Sequence, residues 1–476
     1  MDKQTLSNYG WLVIVTLILA VMLALATPFG NYVGEGVASV ANGFVGTANN
    51  ATDEDGIKSN ENIWEAKLEH GITGNVKSYY FSTIEDAVEA INNNDYTTTT
   101  GNKKDDIMII MDENTPILKL QNDIHLQKKV FVSKSCVIDL SGHTIFTEDS
   151  CLVFEETAII KICNGTMYKS ITDESSTIAS LYLYDNITTT IDKMSFNMDS
   201  NTKRASAQII TASGQQFITI KNSNFTAIGT TYQANGNNTN QMFNFYSYNN
   251  DSVVNIENTN MNMTSALSMN VYCYDIGAIN IKNSNITTTE IIDIELDGNW
   301  TSYSVVVAHT TLDMNNSKVV MNSVYANSTS AITVQGTTAT IRNSHIESNT
   351  QKNETATSSF SYALQPNYET VVDIYNCDVI VNSKYTQASA VRCQSTGVFT
   401  AYDSNLIVNC DLEDNAKNAM FIGYTLFMNG EGENEIHTKN CFVKGEVCVY
   451  CTYDFNTYTE ENTRYEALDK IYFKEA

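Results

Sequence analysis

Proline is nearly absent, with 3 residues in 476. That excludes a proline-rich stalk or linker. Basic charge is scarce: 28 Lys and Arg stand against 54 Asp and Glu, a formal charge of −26. A nucleic acid or an anionic lipid surface held by a basic patch is excluded as a default partner. Arginine occurs only at 204, 342, 392 and 464. Charged residues of both signs make up 17%, below the usual quarter, so Asn, Thr and Ser must supply the polar surface. Hydrophobic residues at 42% suffice for a core and argue against general disorder. The ten cysteines form no zinc ligand set. Cys448 and Cys451 make a lone CxxC in a strand-like stretch, and buried thiols, with at most one disulfide, are expected.

Long apolar runs are missing except at the start. Trp11 to Ala26 is uncharged and is followed by Thr27-Pro28-Phe29-Gly30. Read as an anchor, it approaches the length that spans a bilayer, about 17–25 residues. Read as a signal peptide, Ala24-Leu25-Ala26 is a small-x-small cleavage site. Residues 1–46 are therefore an apolar anchor or signal segment, and 47–80 a polar linker. Either way the rest of the chain faces the outside of a microbial cell or is secreted, and as an anchor the N-terminal helix makes the membrane a partner. A short leader, an apolar helix and a large polar domain also suit a pilin-like filament subunit. The acid usual in such a helix is missing between Trp11 and Ala26.

Ser82 with Glu85 reads as a capping box, and Ile84, Val88 and Ile91 share one face, which predicts a helix from Thr83. Beyond it no helical period survives to about residue 455. Short alternating runs of Ile, Val, Thr, Phe and Tyr, separated by Asn, Ser, Gly and Asp, have strand chemistry. They repeat. Ile220-Lys-Asn222-Ser223-Asn-Phe225 recurs around Asn258, Asn283, Asn316, Asn343 and Asn376, and more loosely around Asp403 and Asn440. These positions lie 36, 25, 33, 27, 33, 27 and 37 residues apart, consistent with coils of 20–30 residues plus variable loops. Asn tolerates the left-handed conformation a sharp bend needs. Its amide can bond the same amide one coil away, while the small Ser, Thr or Cys after it can turn inward. Each unit is strand–bend–strand, and a stack of such units is a solenoid that needs caps at its ends. The helix at 83–91 lies where an N-terminal cap belongs.

The Asn column, the unit and the entry STIEDAVEAI followed by KKVFVSKSCVIDLSGHTIF resemble the pectate-lyase-like right-handed parallel β-helix, in particular the surface and adhesin-like proteins of gut microbes. The resemblance implies an all-β solenoid over 81–455, leaving 456–476 as an acidic tail. It does not select a function, because this fold carries lyases, hydrolases, depolymerases and non-catalytic adhesins. The resemblance implies Ca²⁺, carboxylates and an Arg base for a lyase, and two or three Asp with a His and Arg-x-Lys for a hydrolase. No Arg-x-Lys occurs here. Ser141-Gly142-His143 reads as a turn between coils. Asp293, Glu295 and Asp297 would share one strand face about 7 Å apart and are the candidate Ca²⁺ ligands. A solvated acidic face is the plainer reading, and no cofactor is expected otherwise. Tyr246, Tyr248, Tyr272, Tyr274 and Tyr303 suit either sugar stacking or ladders between coils. Sequons such as Asn164, Asn186, Asn224, Asn262 and Asn285 arise by chance in so Asn-rich a chain. The expected function is a non-catalytic, adhesin-like or structural surface protein presenting an acidic face to glycans or proteins. The alternatives are a polysaccharide lyase or glycoside hydrolase, and a filament subunit.

Overall fold

The computed structural model describes residues 77–474 apart from connecting stretches, of which 172–178, 201–207, 230–239, 291–300, 352–359 and 411–423 are the longest. The apolar segment at 11–26 lies outside the described residues. Among the described residues no helix is long and apolar enough to cross a membrane.

The repeat folds as its chemistry dictates. Val253–Glu257 is a strand whose burial alternates, with Val254 and Ile256 inward. Asn258 then adopts φ 47° and turns the chain. Asn260–Ser265 follows, and Ser268–Tyr274 returns along a second sheet before the next rung begins at Ala278. Rungs stack in parallel, Ile256 against Ile281 and Met261 against Ile286, with a register shift between Tyr424 and Leu426. The result is an all-β parallel solenoid of the right-handed type expected of such crossovers. One of its sheets has thirteen parallel strands, from Val130–Val132 to Ile471–Lys474. Like residues pile up in its interior. Phe196 and Phe225 stack at 4.8 Å and Phe243 meets Phe225 edge-on.

At the N-terminal end the large sheet starts with antiparallel pairs, Lys77–Phe81 with Ile107–Asp112 and the latter with Thr115–Lys119. The first strand thus begins inside the expected linker. The helix spans Ile84–Asn93 and buries Ile84, Ala87, Val88 and Ile91. Its N-cap is Thr83, whose hydroxyl accepts from Asp86 N–H at 3.1 Å. This corrects the Ser82–Glu85 box by one residue: Ser82 instead bonds the Thr100 hydroxyl. The Asn92 amide donates to Phe131 O at 2.7 Å and accepts from Ser133 N–H at 3.0 Å. It therefore occupies the outer edge of the first strand of the thirteen-stranded sheet, where an open edge would invite foreign pairing.

The stack also runs past residue 455. Thr457–Glu461, Arg464–Glu466 and Ile471–Lys474 pair in parallel with the preceding rung, so these residues continue the solenoid. Seven cysteines, at 136, 151, 163, 273, 377, 393 and 441, are buried and free, so the disulfide considered above does not form among them. Burial pushes the Cys136 and Cys163 thiols up to about 12. At pH 8 in the folded protein these two sites are expected to resist iodoacetamide, because the thiolate is the reactive form. In denaturant they should alkylate fully. Peptide mapping checks this, and modification in the native state would contradict the burial.

Candidate functional site

The bend positions form one continuous corner. Asn222, Asn258, Asn283, Asn316, Asn343, Asn376, Asp403 and Asn440 all have φ between 47° and 55°. The column is longer than the repeat suggested: Ser141, Asn164, Lys193 and Asn462 hold the same left-handed corner. Behind each corner the small residue turns inward. Ser284 N–H donates to the Ser317 hydroxyl at 3.1 Å, and Ser317 N–H to the Ser344 hydroxyl at 3.2 Å. Each hydroxyl in turn donates to a carbonyl two residues back, as Ser317 does to Asn315 O at 2.8 Å. The hydroxyl of one rung thereby satisfies a buried backbone donor of the rung before it, which would otherwise cost about 1–3 kcal/mol.

The outer amides bond in one direction, each donating to the rung before. Asn222 donates to Asp192, Asn258 to Asn222, Asn283 to Asn258 and Asn316 to Asn283, at 2.8–3.3 Å. The ladder then breaks twice. Asn343 donates not to Asn316 but to Asn315 Oδ1, at 3.1 Å. After Asn376 donates to Asn343, the next corner is Asp403, which has no donor to give and accepts from Asn440. Among the described residues no donor reaches Asn316 Oδ1 or Asn376 Oδ1.

A shallow groove of about 520 Å³ opens where the breaks occur. It is lined by corner residues from Asn316 to Asp403 and by the column Asn285, Lys318, His345, Asp378 and Asn405. The five rungs it crosses span about 19 Å at 4.7–4.9 Å per strand. Register brings these five side chains into line. His345 Nε2 lies 2.9 Å from Glu347 Oε2, and His345 Nδ1 3.9 Å from Asp378. Lys318 Nζ is 3.8 Å from the same Glu347 oxygen, and Asn382 donates to its other oxygen at 3.0 Å. Burial raises the Glu347 pKa, but the hydrogen bond and charge of His345, the Asn349 side chain and Lys318 together outweigh it and hold the carboxyl below its ordinary value.

A second row borders the groove one position before the corner. Arg342, Tyr375, Tyr402 and Lys439 are successive neighbours across four strands. The two Tyr rings stack at 4.8 Å and 4°, with Arg342 over the outer face of Tyr375 and bonded to Asp313 at 3.0 Å.

The sequence groups acids at alternate positions, Asp293, Glu295 and Asp297, with no base beside them. The structure places bases beside acids across strands instead: Lys318 and His345 on two rungs meet Glu347 and Asp378. The signal was present at the third position of the Asn-Ser-x and Asn-Cys-x units, where x is Lys318, His345 and Asp378. The proposed Ca²⁺ ligands Asp293, Glu295 and Asp297 lie outside the described residues. Among the described residues no group of three or more His, Cys, Asp or Glu is placed to hold a metal ion. Ser141-Gly142-His143 is a turn, with φ 53° and 89° at its first two residues. Of the middle tyrosines, Tyr246 and Tyr274 stack at 5.3 Å in neighbouring rungs, the ladder alternative.

No family model matches this sequence, and no curated protein matches it. Among solved structures the chain is similar to the periplasmic alginate epimerase AlgG, at 10% identity and a TM-score of 0.41 over 84% of this chain and 96% of that one. Two structures of mutants of that epimerase match at 10% and 11% identity, over the same shares, with TM-scores of 0.38 and 0.39.

Proposed function

We propose that this protein is a secreted or surface-held carbohydrate-handling solenoid that binds a polysaccharide across the corner groove. The observation that carries the reading is the coincidence of the groove with the two ladder breaks. From Asn222 to Asn283 each corner carbonyl accepts from the next corner amide; here Asn316 Oδ1 and Asn376 Oδ1 are left for a ligand, beside Lys318 and His345, which share Glu347. A shallow polar groove about 19 Å long suits a chain of sugars, whose hydroxyls both donate and accept, better than a small apolar ligand. The stacked Tyr375 and Tyr402 at its border add an apolar edge with hydroxyl tips. The contact is multivalent and no deep pocket is needed.

A second reading, an enzyme acting on that chain, rests on one specific pair. His345 and Glu347 at 2.9 Å, beside Lys318, have the residue types and spacing of an acid–base pair. Incubating the full chain with a polysaccharide panel separates the two. Binding by calorimetry, with no new reducing or unsaturated ends, is the expected result for a binding protein. Products that vanish in His345→Ala and Glu347→Gln, with binding retained, would make it an enzyme. If nothing in the panel binds, the carbohydrate reading fails.

A further inference from the structure

We infer that the groove selects a glycan rich in hydrogen-bond donors and free of carboxylates, an amine-bearing polysaccharide of the polyglucosamine type, and rejects polyuronates. The inference rests on the glycan reading above and goes further by fixing the chemistry of the chain. It follows from the polarity of the amide ladder. Every corner amide that bonds a neighbouring corner points its N–H toward the N-terminal end and its carbonyl toward the C-terminal end. A break therefore leaves a carbonyl on its N-terminal side, here Asn316 Oδ1 and Asn376 Oδ1. The donor that should answer is diverted in one case, since Asn343 turns to Asn315, and replaced by a carboxylate in the other, at Asp403. Both breaks thus present acceptors.

The charges agree. Lys318, His345 and Asp378 stand in one line along the groove and Asp403 lines it at the corner, with Glu347 tying down Lys318 at 3.8 Å and His345 at 2.9 Å. Two basic side chains meet three carboxylates, in a chain of net charge −26. A carboxylate-bearing chain would bring acceptors to acceptors and negative charge to negative charge. An ammonium carries three donors and no acceptor and meets both conditions.

Replacing Asp403 isolates the cause. Asp403→Asn keeps a residue that tolerates the corner's φ of 51° and can still accept from Asn440. Its new amide can donate to Asn376 Oδ1, as Asn376 donates to Asn343 at 3.0 Å. One break closes and one charge goes, with no cavity made. Asp251→Asn removes the same charge at an exposed site away from the groove and serves as the control.

The test is calorimetric titration of the full chain with polyglucosamine and with polygalacturonate, at low and at physiological salt. Polyglucosamine is expected to bind at least about tenfold more tightly than polygalacturonate, with affinity falling as salt rises. Asp403→Asn should weaken it about fivefold and leave the unfolding midpoint unchanged or higher, while Asp251→Asn changes neither. Polygalacturonate binding as tightly as polyglucosamine overturns the inference and leaves the glycan reading standing. Equal losses in the two variants also overturn it, since binding would then be diffuse attraction between polyelectrolytes. Binding of neither chain removes the inference together with the reading beneath it.

Discussion

Phe225→Ala is expected to destabilise the solenoid by about 3–5 kcal/mol, the usual range for removing a fully buried ring. Phe225 is completely buried. Its ring lies parallel to Phe196 of the rung before, at 4.8 Å and 5°, and takes the edge of Phe243 from the opposite sheet at 4.7 Å. Truncation leaves a hole between three elements. Interior columns advance one rung at a time, so no neighbouring side chain can move into the hole without vacating its own rung. Phe225→Leu keeps most of the volume and should cost markedly less. Equilibrium denaturation of the two variants checks the order. Because rungs contact only neighbours, the alanine variant should also lose amide protection first around residues 196–261. A loss below about 1 kcal/mol would show that the phenylalanine stack does not hold the interior together.

The corner gives the second large effect, and a series at Asn283 divides it into parts. Asn283 stands at φ 50°, donates to Asn258 at 3.2 Å and accepts from Asn316 at 2.8 Å. Asn283→Gly keeps the backbone conformation at no steric cost and loses both amide bonds. A loss of about 1–2 kcal/mol is expected at 0.5–1.5 kcal/mol per net hydrogen bond. Asn283→Val loses the same bonds and forces a β-branched residue into the left-handed region, which adds about 1–2 kcal/mol. The expected order is wild type, Gly, Val, by thermal unfolding. If Gly equals wild type, the outer amides contribute nothing and Asn is present only for its φ. If Val equals Gly, the corner's conformation carries no strain.

Much of this architecture was legible in the chain. Asn-Ser, Asn-Thr and Asn-Cys pairs with apolar residues at alternate positions before and after name both the bend and the inward face. That pattern is local: φ at Asn283 and the inward turn of Ser284 depend on residues a few positions apart. The parallel stack followed because eight copies in one register cannot each bury an apolar face alone. Where local rules were ambiguous, the reading moved by a residue or missed an element. Thr83 and Ser82 are both good caps, and only the Asp86 N–H selects between them. The strands at 457–474 have too few apolar residues to stand out, and pairing with the rung before makes them strands. Lys193 holds a corner with a residue that does not advertise one, between rungs whose corners do.

The sequence by itself determined the solenoid, its corner column and its acidic, Asn-rich surface, because each rung is specified by contacts short in sequence. Only the tertiary structure decided where that column stops satisfying itself. Asn343 is identical in type to its neighbours, and nothing local says that its amide turns to Asn315. Nor does spacing in the chain say that Lys318, His345 and Asp378 stand in line with Glu347 beside them. They belong to three rungs separated by loops of variable length, and they meet because parallel register, a property of the stacked sheet, sets them one strand apart.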